Sequence, residues 1–224
     1  MFSTKILAAI FLSILAKTSL ACAVGNKSPE GQLLASVTAT YRSAGLAEMA
    51  VEKRITYEWK PKDDVSNGKI FYSHGKIRWE IDTPDKNWTI CDEKTCWNIE
   101  FASKDFPDAK NKVTIAAINK KNKEQFFLLN LLNTKSPSDQ FHIKSEESAD
   151  GQVRLKLEPR KPTGYTDIFV TVKKAQRTIK EISFKDDIGN LVKLILDVPT
   201  IKSSGDAKLF KYKPDPKKDQ VSNL

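Results

Sequence analysis

Three cysteines and two histidines are the side chains best suited to covalent or acid–base chemistry, and their spacing narrows what they can do. Cys91 and Cys96 bracket four residues in CDEKTC. That spacer is too long for the C-x-x-C of thiol–disulfide exchange, and no histidine cluster accompanies it as a zinc site requires. In an oxidising compartment the pair are disulfide candidates, and Cys22 is left over. His74 stands in a turn-like stretch and His142 in a strand-like one, and neither lies in a G-x-S-x-G or H-E-x-x-H setting. Asp92-Glu93, Glu146-Glu147 and Asp186-Asp187 are carboxylate pairs in turns, whereas a glycosidase pair faces a cleft from separate strands. With only 9 glycines, no phosphate-cradling loop follows a strand. The expectation is a binding protein, not an enzyme, with no metal and no cofactor.

What the sequence does supply is apolar bulk: 11 Phe, 4 Trp and 5 Tyr. Trp59, Trp79, Trp88 and Trp97 all fall between residues 59 and 97. Singly, each reads as a core residue. As a set on the inner face of a curved sheet, under an apolar helix, they would line a cavity in which ligand chains replace side chains.

The elements that must position these residues follow from periodicity. Ser28-Pro29 is an N-cap and first-turn proline for a helix carrying Leu33, Val37 and Tyr41 and ending near Gly45. From Val51 the period is two, with Val51, Lys53, Ile55, Tyr57 and Trp59 on one face. Asn67-Gly68, His74-Gly75 and Thr83-Pro84-Asp85 are turn signals between strands, so the first half meanders through antiparallel hairpins. Residues 113–118 fit a strand or the start of a helix. Residues 123–133 (KEQFFLLNLLN) form a helix apolar nearly all round, which needs burial on more than one side. Strands are expected again near 140–144, 153–157, 165–172, 179–184, 191–198 and 207–212, before a frayed polar tail from about 213. The sum is a mainly β fold: an open, incomplete antiparallel barrel of about eleven strands covered by two or three helices.

Residues 1–23 read as a secretory signal peptide, with Lys5 before an apolar run at 6–16 (ILAAIFLSILA) and Ala21-Cys22-Ala23 as cleavage site. The run is too short to span a bilayer. Residues 24–224 then make a single exported domain in the periplasm. Cleavage before Val24 discards Cys22; cleavage before Cys22 would leave an N-terminus for acylation, but Ser19 occupies the place where that route prefers leucine. The net charge of +9 comes from scattered lysines and suits anionic membrane surfaces or acidic partners. Nucleic acid is not expected, for want of a recognition motif and because of the export signal.

The segment 68–100 (GKIFYSHGKIRWEIDTPDKNWTICDEKTCWNIE) resembles LolA, the periplasmic carrier of outer-membrane lipoproteins. It has the family's Gly-started strand, R-W strand, proline turn and D-G-K-x-x-W hairpin, carried by Asp92, Lys94 and Trp97, with Glu93 in place of the glycine. QFFLLNLLN (125–133) sits where the family has its apolar lid, and DAKLFKYKPDP (206–216) is similar to its closing segment. The resemblance implies an eleven-stranded unclosed barrel with a helical lid. Its cavity would take lipoprotein acyl chains from an inner-membrane lipoprotein-releasing ABC transporter and pass them to an outer-membrane acceptor lipoprotein. Ile77 and Trp79 match cavity positions, and Phe127 and Leu129 match lid positions. Ile55, Tyr57 and Trp97 from the strands, with Phe126 and Leu132 from the lid, complete the expected lipid-binding set of a monomer.

The family's Arg-Pro, whose arginine bonds the lid closed, is replaced by Tyr72-Ser73-His74-Gly75, which leaves His74 as the candidate latch. Cys91 and Cys96 are not paired cysteines in the family, and cross-strand spacing across the hairpin allows a structural disulfide. Two other readings stay open: an outer-membrane-anchored receptor of the same fold acylated at Cys22, and a lipid-sensing envelope regulator.

Overall fold

The computed structural model describes residues 28–106, 108–118, 127–146 and 151–223. Helix α1 (Pro29–Ser43) starts where expected: the Ser28 hydroxyl accepts from the Gly31 amide at 3.1 Å, and Pro29 occupies the first turn. Leu34, Val37, Thr38 and Tyr41 form its buried stripe. The chain then enters β1 (Leu46–Thr56), five residues before the alternation at Val51 becomes legible, because Leu46, Ala47 and Met49 are all buried and no two-sided pattern marks them. Trp59 lies past the strand's end and is 79% exposed, so it is not part of the core.

Strand β2 (Asp64–Ser73) runs straight through Asn67-Gly68, which was expected to be a turn. The glycine serves a different need: the register to β3 (Lys76–Thr83) shifts there, and a Cβ on Gly68 would stand 1.8 Å from the Glu80 carbonyl oxygen. β4 (Asn87–Cys91), β5 (Thr95–Glu100) and β6 (Asn111–Ala117) complete the meander, which resolves residues 113–117 as strand. Helices α2 (Phe127–Asn133) and α3 (Pro137–Gln140) lead to β7 (Phe141–Ser145), β8 (Gln152–Pro159), β9 (Thr166–Lys173), β10 (Thr178–Lys185), β11 (Leu191–Leu196) and β12 (Thr200–Lys202).

Two expectations for the C-terminal segment fail. Ala207–Phe210 is a short 3-10 turn, not a strand, because the Asp206 side chain accepts from the Lys208 amide at 2.8 Å and winds the chain locally. The tail is not frayed: β13 (Asp219–Asn223) pairs in parallel with the β6 edge, from Asp219↔Asn111 to Asn223↔Ile115.

The thirteen strands form one sheet, ordered β13-β6-β5-β4-β3-β2-β1-β11-β10-β9-β8-β7, with β12 beside β1. Its first and last strands do not meet, so the barrel is open, and every pairing except β13–β6 is antiparallel. Register separates the residues into two faces. Helices α1 and α2 cover the inner face, where Val51, Ile70, Tyr72, Ile77, Leu155, Val170, Ile182 and Leu194 pack with Leu34, Val37 and Leu131. A smaller core lies on the outer face of β3–β6, where Ile90, Ile99 and Val113 meet Trp88, Trp97, Phe101 and Tyr212. The segment after β12 covers that face, and Arg78 donates to the Leu209 carbonyl at 3.1 Å.

Candidate functional site

The inner face is a trough covered by α1 and by the apolar helix α2. In α2, Phe127, Leu128, Leu129, Leu131 and Leu132 are all buried, as an all-round apolar helix must be. Phe127 stands at the head of an aromatic cluster: its ring centre lies 5.5 Å from Phe184, 5.6 Å from Tyr165 and 6.4 Å from Phe141. Under the other helix, the Tyr41 hydroxyl accepts from the Ile179 amide at 3.0 Å, and burial, partly offset by that bond, pushes its phenol up to about 12.

A small polar set ties the end of α2 to the body. Tyr72 donates to Asn133 Oδ1 at 2.6 Å, and Arg42, at the end of α1, donates to the Thr134 carbonyl and, at 2.8 Å, to Thr38 Oγ1. Thr38 donates in turn to the Thr134 carbonyl at 3.1 Å. A cation at a helix C-terminus also suits the helix dipole, and α2 has no basic residue of its own in its last turn.

Half-open cavities flank α2. One of about 380 Å³ lies among Phe127, Asn130, Phe141, Arg160, Tyr165 and Ile168. The other, about 330 Å³, lies among His74, Asp92, Ile118, Leu129 and Asn133. Both are within the size range of small-molecule sites, roughly 300–1,000 Å³.

The structure brings together most, not all, of the residues singled out from the sequence. Ile77 is buried on the inner face, with Trp79 and Ile55 half-buried on that same face. Phe127, Leu129 and Leu132 face them from α2. Tyr57 lies beyond the end of β1, where its ring is 5.4 Å from Trp59 and 5.6 Å from Lys60 Nζ. Trp97 is on the opposite face of the sheet, in the smaller core, because it pairs with Ile90 and not with Cys91. Phe126, Cys22 and residues 1–23 lie outside the described residues. His74 is exposed at the β2–β3 turn with φ 43°, and it has no hydrogen-bond partner among the described residues; the bonds described at α2 run through Tyr72 and Arg42. Cys91 and Cys96 are disulfide-bonded and buried on the inner face.

Lys53 is not among the site residues expected from the sequence. It lies on the inner face between Val51 and Ile55, opposite Leu194 and Ser66, and burial pushes its ammonium below the ordinary lysine range. The signal was present as a lysine in an apolar alternation. The turn carboxylates have local work: Asp92 Oδ1 accepts from the Lys94 and Thr95 amides, and Asp186 Oδ1 from the Ile188 and Asn190 amides. Among the described residues no group of three or more His, Cys, Asp or Glu is placed to hold a metal, and no helix is long and apolar enough to cross a membrane.

Residues 53–213 match the family described as outer membrane lipoprotein carrier protein LolA. No curated protein matches the sequence. Among solved structures, an uncharacterized conserved protein from Thermus thermophilus superposes with a TM-score of 0.52 at 15% identity, covering 86% of this chain and 98% of that one. A LolA superfamily protein from Nitrosomonas europaea gives 0.44 at 11% identity over 83% and 99% of the two chains. LprF from Mycobacterium bovis gives 0.38 at 13% identity, over 81% and 100%.

Proposed function

This chain belongs to the family of the outer membrane lipoprotein carrier protein LolA, and from that premise we propose that it shelters the acyl chains of lipoproteins in its inner trough and carries them across the periplasm. The observation that carries the reading is α2: a helix apolar nearly all round, set over an apolar sheet face, flanked by two cavities and tied at its end by a few polar bonds. Such a cover can exchange places with ligand chains. Each buried CH₂ contributes roughly 0.8 kcal/mol, so acyl chains in water need a shelter of this kind. Release requires that little be lost when α2 settles back, and its five buried apolar side chains return to the same apolar face as the chains leave.

In this reading Ile55, Ile77 and Trp79 contact the chains from the sheet, and Phe127, Leu129 and Leu132 are the side chains they displace. Phe126 belongs to the same lid segment by sequence. The protein is exported by residues 1–23, works as one unit from residue 24 onward, and receives its cargo from an inner-membrane lipoprotein-releasing ABC transporter for an outer-membrane acceptor. The Cys91–Cys96 disulfide fits an oxidising compartment.

The test is to purify the protein from its native envelope and identify co-purifying material by mass spectrometry, beside a Leu129→Glu variant. Triacylated polypeptides should accompany the wild type and be depleted at least several-fold from the variant. Recovery of the wild type consistently without acyl-bearing material would end the carrier reading.

A further inference from the structure

Among the described residues, two hydrogen-bond donors on the inner face have no protein acceptor, the Trp79 indole N–H and the Lys53 ammonium. Trp79 Nε1 is buried and has no partner among the described residues. Lys53 Nζ lies 5.8 Å from the centre of the same indole, and this half-buried ammonium has no side-chain hydrogen bond or ion pair among the described residues. Both side chains belong to the helix-covered face: Lys53 alternates with Val51 and Ile55, and Trp79 pairs with Ile70. Among the described residues, the cross-strand neighbours supply no carboxylate. Across the strands Lys53 faces Leu194 and Ser66, and Trp79 faces Thr89, whose hydroxyl donates to Asn98 Oδ1 and makes no bond to the indole. The carboxylate next along that face, Asp64, is taken by Lys60.

An ammonium and an indole N–H left together on an apolar face, with no carboxylate, amount to half of a site. Burying either unpaired is unfavourable, by roughly 1–3 kcal/mol for a neutral donor and more for a charge. We propose that Lys53 and Trp79 receive the anionic head group of an acyl-chain ligand, a carboxylate or a phosphate, at the point where its chain enters the trough. The ammonium supplies the charge-assisted bond and the indole N–H a second, directional one. The apolar stretch from Ile55 through Val192 to Phe184 continues from this point to Phe127 of the lid, which gives the attached chain an apolar path. The indole N–H is closed off from solvent in this structure, so the head group reaches it as the ligand enters beneath the cover.

This inference rests on the acyl-chain part of the reading above and extends the ligand to lipids with a charged head, since the acylated cysteine of a lipoprotein carries no carboxylate or phosphate, and one titration tells the failure of either apart. The full-length mature chain is loaded with the uncharged fluorophore phenylnaphthylamine, which is then displaced by palmitate, by palmitoyl lysophosphatidate or by neutral monopalmitoylglycerol. Charge-assisted recognition predicts that at least one of the two anions displaces the probe at about tenfold lower concentration than the neutral lipid. Whichever anion is stronger names the head group. Lys53→Met should erase that preference while still taking up the probe, Lys53→Arg should keep it, and Trp79→Phe should reduce it. Probe uptake with equal displacement by all three lipids overturns the head-group site and leaves the acyl-chain reading standing. A wild type that neither takes up the probe nor binds any of the lipids sinks both.

Discussion

Asp219 ties the C-terminal segment around Tyr212 and Asp215 to Asn111, more than a hundred positions away. It is 5% exposed, and its carboxylate accepts from Asn111 Nδ2, the Tyr212 hydroxyl and the Asp215 amide, each at 2.8 Å. Burial opposes the charge, but the donors from Asn111, Asp215 and Tyr212 outweigh it and hold the carboxyl below the usual range. Burial together with the adjacent carboxylate pushes the Tyr212 phenol up to about 12. The signs follow. The Asp219 contribution is present above the unfolded carboxylate value of about 4 and is lost as pH falls through its lower folded value. The Tyr212 contribution is present below about 10 and is lost as pH rises through the folded value. On acidification below about pH 4, amide protection in β13 should fall before protection in β8–β11, and Tyr212→Phe should lower stability by about 1 kcal/mol or more in urea unfolding. An acid response of Asp219→Asn identical to that of the wild type would contradict this account. At this scale Lys53 was visible as a lysine in an apolar alternation, but no spacing rule shows that its cross-strand neighbours offer no carboxylate.

The lid helix shows how far element-scale reasoning reaches. An all-round apolar stretch at 123–133 required burial on several sides, and α2 has it. What holds α2 down was not legible, because Arg42, Thr38 and Tyr72 come from α1 and β2 and nothing local to the lid specifies them. His74 drew attention by its place in a motif; Tyr72, two residues earlier, points to the inner face and reaches Asn133. Each such bond contributes about 1 kcal/mol, and one to a charged group somewhat more. Arg42→Ala should therefore speed amide exchange across 127–133 by about fivefold to tenfold while exchange in β8–β10 stays unchanged, as read by mass spectrometry. Equal acceleration in both regions would mean that Arg42 supports the whole fold and not the lid. Asn67-Gly68 fails as a turn signal for a related reason: its glycine answers a register shift against β3 and a close carbonyl, neither of which is a local property.

Over the whole molecule, one sheet carries two apolar faces with different covers. The inner face is covered by helices α1 and α2; the outer face of β3–β6 has a strap, residues 206–219, which ends by pairing β13 with β6. Truncation before Asp206 should uncover Trp88 and Trp97 together with the β6 edge. The shortened chain should bind anilinonaphthalene sulfonate strongly and self-associate in sedimentation, while the intact chain does neither to the same degree. Unchanged dye binding would show that the strap covers little. The sequence by itself determined what is periodic or local: the mainly antiparallel β architecture, the capped first helix, the hairpin disulfide and the apolar lid stretch. Only the tertiary structure decided which face each aromatic occupies, that Trp97 stands away from Ile77 and Trp79, and that the polar tail becomes a strand. The physical reason is that side-chain alternation gives two faces without saying which one a distant segment will cover. That choice depends on contacts such as Arg78 to Leu209 and Asp219 to Asn111, made between residues more than a hundred positions apart.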